Sequence, residues 1–93
     1  MLSREEAEVF AIQVLAWLAA DSGRLTGFLG ATGASSATLR RDATEPAFML
    51  AVLDYLMADE AQLLACCAAL EVSPDQPAQA RAALPGGDQW HWT

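Results

Sequence analysis

An all-α protein is the fold class the sequence predicts, on three observations. Twenty alanines and thirteen leucines stand against four valines, one isoleucine and five threonines, and the former pair cost least in a helix whereas β-branched residues favour strands. Apolar residues recur at i, i+3 and i+4 in the longer segments rather than alternating. Helix-start signals, a Ser, Thr or Asp followed by Glu, Gln or Pro, precede several of those segments. With 93 residues the chain has room for one domain, typical domains running to roughly 100–150 residues. Thirty apolar residues other than alanine can fill one small core. The expected architecture is a compact bundle of five to six short helices over residues 1–87, followed by an aromatic tail at 88–93.

Ser3 and Glu6 form a capping box, in which the serine oxygen and the glutamate side chain satisfy amides at a helix start. The first helix then runs from Arg4 to about Ala20. On its wheel Ala7, Phe10, Ala11, Val14, Trp17 and Leu18 share one arc, the expected core face, while Glu5, Glu8 and Gln13 lie off it. Val9, Ile12 and Ala16 form a second apolar patch on the Glu5 side. One inward face cannot bury both, so the second patch meets either a neighbouring helix or a partner.

Asp21 or Ser22 caps a short second helix carrying Leu25, Phe28 and Leu29, interrupted by Gly27 and Gly30 and stopped at Gly33. Ser35 or Ser36 caps a third, with Leu39 inward and Arg40, Arg41 and Asp42 outward. Small residues and glycines dominate from Gly23 to Ser36, so a partly irregular, more mobile stretch is expected there. Thr44 ahead of Glu45-Pro46 starts the fourth helix, because a proline's missing amide costs nothing in the first turn. Phe48, Met49, Leu50, Val52, Leu53, Tyr55, Leu56 and Met57 surround most of it, which makes it the central helix, with Asp54 the one charge inside.

Asp59 followed by Gln62 opens a fifth helix lined by Leu63, Leu64, Cys67 and Leu70, forming a tight hairpin with the fourth. Ser73-Pro74 begins a sixth, marked by Ala80, Ala83 and Leu84 and ended by Pro85-Gly86-Gly87. Pro77 would remove an interior amide if Ser73 were the cap, which moves the true start towards Asp75.

Twelve carboxylates stand against five arginines and no lysine, for a net charge of −7 and an isoelectric point near 4.3. Nucleic-acid binders need a basic stripe to displace counterions, and the one adjacent basic pair is Arg40-Arg41. Apolar runs such as Val14 to Ala20 fall far short of the ~20 residues of a membrane span. The acidic start, Met-Leu-Ser-Arg-Glu-Glu, lacks the basic flank and apolar stretch of a secretory signal. Cys66 and Cys67 are adjacent and cannot close a loop, so no disulfide framework is expected. The reading is a cytoplasmic protein with no nucleic-acid and no membrane partner.

Several blocks taken together carry a resemblance: Val14-Leu15-Ala16-Trp17-Leu18-Ala19, Phe28-Leu29 with Thr32-Gly33, Pro46-Ala47-Phe48, Val52-Leu53-Asp54-Tyr55-Leu56, Asp59-Glu60, and Ala83-Leu84-Pro85-Gly86. In this order and spacing they resemble the small bacterial domain-of-unknown-function 3572 family over nearly the whole chain. The resemblance implies a short, cytosolic, wholly helical protein with no assigned activity, and so adds no chemistry.

No residue pattern requires catalysis, a cofactor or a metal. His91 is the one histidine, in the tail, and general acid–base work needs a base held within ~3 Å of its proton. His91 with Cys66 and Cys67 lacks the spaced ligand pairs of a zinc site. Cys66 and Cys67 read as small apolar fillers. Asp59-Glu60 reads as an acidic helix start. Asp54 must reach water or be ion-paired, with Arg24, Arg40 or Arg41 as partner, and a binding role for it is the alternative.

Trp90-His91-Trp92 either docks on the fold or anchors a partner, since buried tryptophans are favoured interface residues. The functional expectation is a non-catalytic protein–protein interaction or adaptor module, self-associating or with a protein partner. Its candidate contact residues are Val9, Ile12, Ala16, Asp54, Trp90, His91 and Trp92. The alternative is a DNA-associated regulator with helix-turn-helix-like geometry around Gly33 and Leu39, which the charge disfavours.

Overall fold

The computed structural model describes residues 2–87. Six helices and no strand lie among them: α1 (Arg4–Ala19), α2 (Ser22–Thr32), α3 (Ser36–Asp42), α4 (Pro46–Met57), α5 (Glu60–Leu70) and α6 (Gln76–Ala83). The bundle is therefore all-α, as its composition requires. Residues 88–93, with Trp90, His91 and Trp92, lie outside the described residues.

Most helix starts follow the local chemistry of the sequence. At α1 the Ser3 hydroxyl accepts from the Glu6 amide at 3.1 Å and the Glu6 carboxylate accepts from the Ser3 amide at 2.8 Å, closing the capping box. Asp21 caps α2 by accepting from the Arg24 amide at 3.1 Å. Ser35 caps α3, with Thr38 returning the bond to the Ser35 amide at 2.7 Å. The cap of α4 is Glu45 rather than Thr44, and it makes no side-chain cap bond. Pro46 occupies the first helical turn, and a proline ring holds the residue before it extended, so that residue becomes the boundary. Asp75 precedes α6, which places Pro77 in the first turn, where its absent amide costs nothing.

Two expectations about packing are corrected. The helix α2 is continuous over 11 residues and is not interrupted at Gly27 or Gly30. Asp21 holds one end, Gly33 closes the other in the left-handed conformation at φ 75°, and Phe28 pins the middle. The Phe28 ring is fully buried and meets Phe48 and Tyr55 edge-on, with centroids 5.7 and 5.4 Å away. Gly27 is part of this packing, since a Cβ there would stand 2.6 Å from the Tyr55 hydroxyl.

In α5 the buried residues are Cys66 and Cys67, while Leu64 is 46% exposed. Leu63, Cys66, Cys67 and Leu70 fall at i, i+3, i+4 and i+7 and share one face, from which Leu64 is turned by about 100°.

The core joins Ala7, Phe10, Ala11, Val14 and Leu18 of α1 to Met49, Val52, Leu53 and Leu56 of α4, with Phe28, Cys66, Ala80 and Leu84 from the other elements. Small residues at 7, 11 and 80 let helix backbones approach, and each fully buried Leu or Phe contributes about 1.5–3 kcal/mol. Among the longer helices α1 and α4 pack against each other and each against α2, α5 and α6, so the central place expected for α4 is shared with α1. Trp17 sits at the core's edge, half-buried, with the Arg24 guanidinium 4.0 Å from its ring centroid.

Candidate functional site: the outer face of α1

The face of α1 that points away from the core carries the second apolar patch. At about 100° per residue, Val9, Ile12 and Ala16 lie nearly opposite the Ala7, Val14 and Leu18 ridge. Val9 is 56% and Ile12 44% exposed, and Ala16 and Ala19 beside them are exposed as well. Among the described residues no neighbouring helix covers the patch. Together the four form a stripe with spacings of three, four and three residues, and Glu5 continues it one step towards the N-terminus. Beside the stripe runs an open groove of about 460 Å³ between α1 and the start of α6, lined by Leu2, Val9, Phe10, Gln13 and Gln76 with Glu5 and Glu6 at its edge.

The border of the stripe is acidic. Glu8 is bonded to Arg4 at 3.1 Å, one turn away. Glu6 is held by its capping role, and the Ser3 amide, then the Ser3 hydroxyl, lower its carboxyl pKa, so it stays anionic. Glu5 makes no hydrogen bond or ion pair with any described residue.

The other candidates lie elsewhere. Asp54, on α4, is ion-paired, but its partner is Arg81 and not Arg24, Arg40 or Arg41. The Arg81 Nε donates to Oδ1 at 2.5 Å and Nη2 to Oδ2 at 3.2 Å, while Nη1 donates to the Gly87 carbonyl at 2.7 Å. One side chain thus ties α4, α6 and the C-terminal turn together, with Arg81 16% and Asp54 52% exposed. Two of the three arginines expected for Asp54 are engaged locally: Arg24 bridges Asp21 at 3.5 Å and Arg41 bonds Asp42 at 3.1 Å. Arg81 is the one cation after Arg41 in the sequence, a signal that could have identified it.

The chemistry of the remaining groups is quiet. Burial, and then the neighbouring Cys67 thiol, push the Cys66 pKa up to about 11, so it is a neutral thiol at physiological pH. Burial raises that of Cys67 too. Asp59 accepts from the Gln62 amide at 3.2 Å and so serves as a cap beside Glu60. Among the described residues no three His, Cys, Asp or Glu side chains converge as metal ligands. No described helix is long and apolar enough to cross a membrane.

The stripe, unlike the clasp that Arg81 forms between Asp54 and the Gly87 carbonyl, was visible in the sequence as a surplus arc on one helix. Its extension to Ala19 follows from the same spacing; what the sequence did not show is the groove at its side, because the groove depends on where α6 lies. No curated protein and no solved structure matches the chain. One family model does, described as "Protein of unknown function (DUF3572)", and it matches residues 4–87, which include every helix described above. The blocks of residues that carried the resemblance fall on those helices and the turn after α6, and the chain belongs to the DUF3572 family.

Proposed function

We propose that this protein is a non-catalytic protein–protein interaction module, working in the cytoplasm as an adaptor through the outer face of α1. The observation that carries the reading is the alignment of Val9 and Ile12, both largely exposed, in one row with Ala16 and Ala19. Single exposed apolar side chains are ordinary on any surface. A row of them on a helix whose opposite face is locked into the core is different, since it presents stiff β-branched side chains in fixed positions. A preorganised surface loses little entropy on binding. The acidic border and the net charge of −7 discourage acidic partners. The helix-turn-helix alternative gains no support, since Arg41 is bonded to Asp42 and only Arg40 of that pair remains to meet phosphate.

The test is affinity capture from the protein's own cells, wild type beside a Val9→Glu, Ile12→Glu double variant whose melting temperature is checked first. A protein held by the wild type and lost from the folded double variant supports the reading. Identical captures from both forms refute it.

A further inference from the structure

We infer that the stripe on α1 receives a basic amphipathic helix of another protein, laid along α1. This rests on the interaction reading above and names the kind of partner. Val9, Ile12, Ala16 and Ala19 run straight along one face of α1, a ridge against which a facing helix can lay its own apolar row. At about 1.5 Å per residue the row is ~15 Å long, so a partner helix of a few turns covers it.

Size grades along the seam from Val9 and Ile12 to Ala16 and Ala19. The facing helix therefore carries its bulky apolar residues over the two alanines and smaller ones over Val9 and Ile12.

Charge decides between a second copy and a different protein. Glu5, Glu6 and Glu8 border the N-terminal half of the row against one cation, Arg4, which is already bonded to Glu8. The whole chain has no lysine and a net charge of −7. Two copies would bring together like-charged molecules across a row much smaller than the ~800 Å² per partner of a standard interface. A helix with Lys or Arg flanking its apolar row would instead pair with Glu5 and meet the surplus negative charge of Glu6 and Glu8, which Arg4 offsets only in part, so the same small contact gains electrostatic attraction and a fast on-rate. The open groove beside Val9 and Gln13 gives one large side chain of that helix a place to enter.

Two synthetic peptides test this, each of three heptads with Leu at the seam positions, one flanked by Lys and the other by Glu. Each is titrated into the isotopically labelled full chain at low and high salt, with amide chemical shifts as the readout. The expected result is that the Lys peptide shifts Val9, Ile12, Ala16 and Ala19, binds at least tenfold tighter than the Glu peptide, and weakens with salt. Replacing Glu5 and Glu8 by Gln should then weaken the Lys peptide about fivefold and leave the Glu peptide unchanged. Equal affinities at the stripe would overturn the charge inference while leaving the stripe as an interaction surface. Shifts confined to other acidic surfaces, or no binding, would overturn the helix inference, and the capture experiment would then judge the interaction reading separately. Stripe amides that broaden with protein concentration and no peptide present would mean that a second copy is the occupant, which also overturns it.

Discussion

The two apolar faces of α1 are made of similar residues and meet opposite fates. Ala7, Phe10, Ala11, Val14 and Leu18 are at most 1% exposed, whereas Val9, Ile12, Ala16 and Ala19 on the other side face outward. Composition does not separate them. What does is the placing of α4 and α6, both packed on the inner side. The described helices cover α1 along its inner side, and its second apolar face stays open among the described residues. The inner face acts through burial and the outer one through availability, and substitutions on the two should differ in what they damage.

The largest effect is expected from Phe10→Ala on the inner face. Removing a fully buried ring should cost about 3–5 kcal/mol, much of the stability of a small domain, and urea unfolding would measure it. Gly87→Ala should follow, at about 2 kcal/mol. A Cβ there would stand 1.7 Å from the Arg81 carbonyl oxygen, so the turn must move and release the bond from Arg81 to the Gly87 carbonyl. A melting temperature equal to that of the wild type would show that the turn adapts without cost.

Asp54→Ala should lower stability by about 1 kcal/mol, because it leaves a mostly covered Arg81 without its bidentate carboxylate while Asp54 itself is half-exposed. A larger loss would mean that the clasp, rather than the α1 core, holds α6 in place. The smallest effect on folding is expected from the outer face: Val9→Ser with Ile12→Ser should change stability by no more than about 0.5 kcal/mol. Denaturant curves of the double variant would check it, and a drop of several kcal/mol would abolish the contrast between the two faces.

How much of this could be read from the sequence depends on how local each signal is. The caps at Ser3, Asp21, Ser35 and Asp59 involve residues three apart, so the chain itself displays them, and the core face of α1 follows from its own periodicity. The proline at 46 displaced the α4 boundary by one residue for an equally local reason. The pairing of Asp54 with Arg81 spans 27 residues and depends on α4 packing against α6, which no local pattern encodes.

The continuity of α2 was hidden by its glycines, whose helix cost is offset by Phe28 and by the room Gly27 leaves for Tyr55. A leucine's usual preference points Leu64 inward, although helical phase puts the two cysteines there instead. The outer stripe was legible as a surplus arc. The groove beside it was not, since Gln76 reaches that place only through the fold.

The most direct measurement is site-specific photocrosslinking in the native cell, with the reactive side chain placed at Ile12, at Ala16, or at Ala37, an exposed position on α3. The account predicts that the first two sites yield an adduct with the same protein, carrying a basic helix, and that Ala37 does not. Adducts at Ala37 alone, or none at either stripe position, would contradict the claim that the outer face of α1 is kept for a partner.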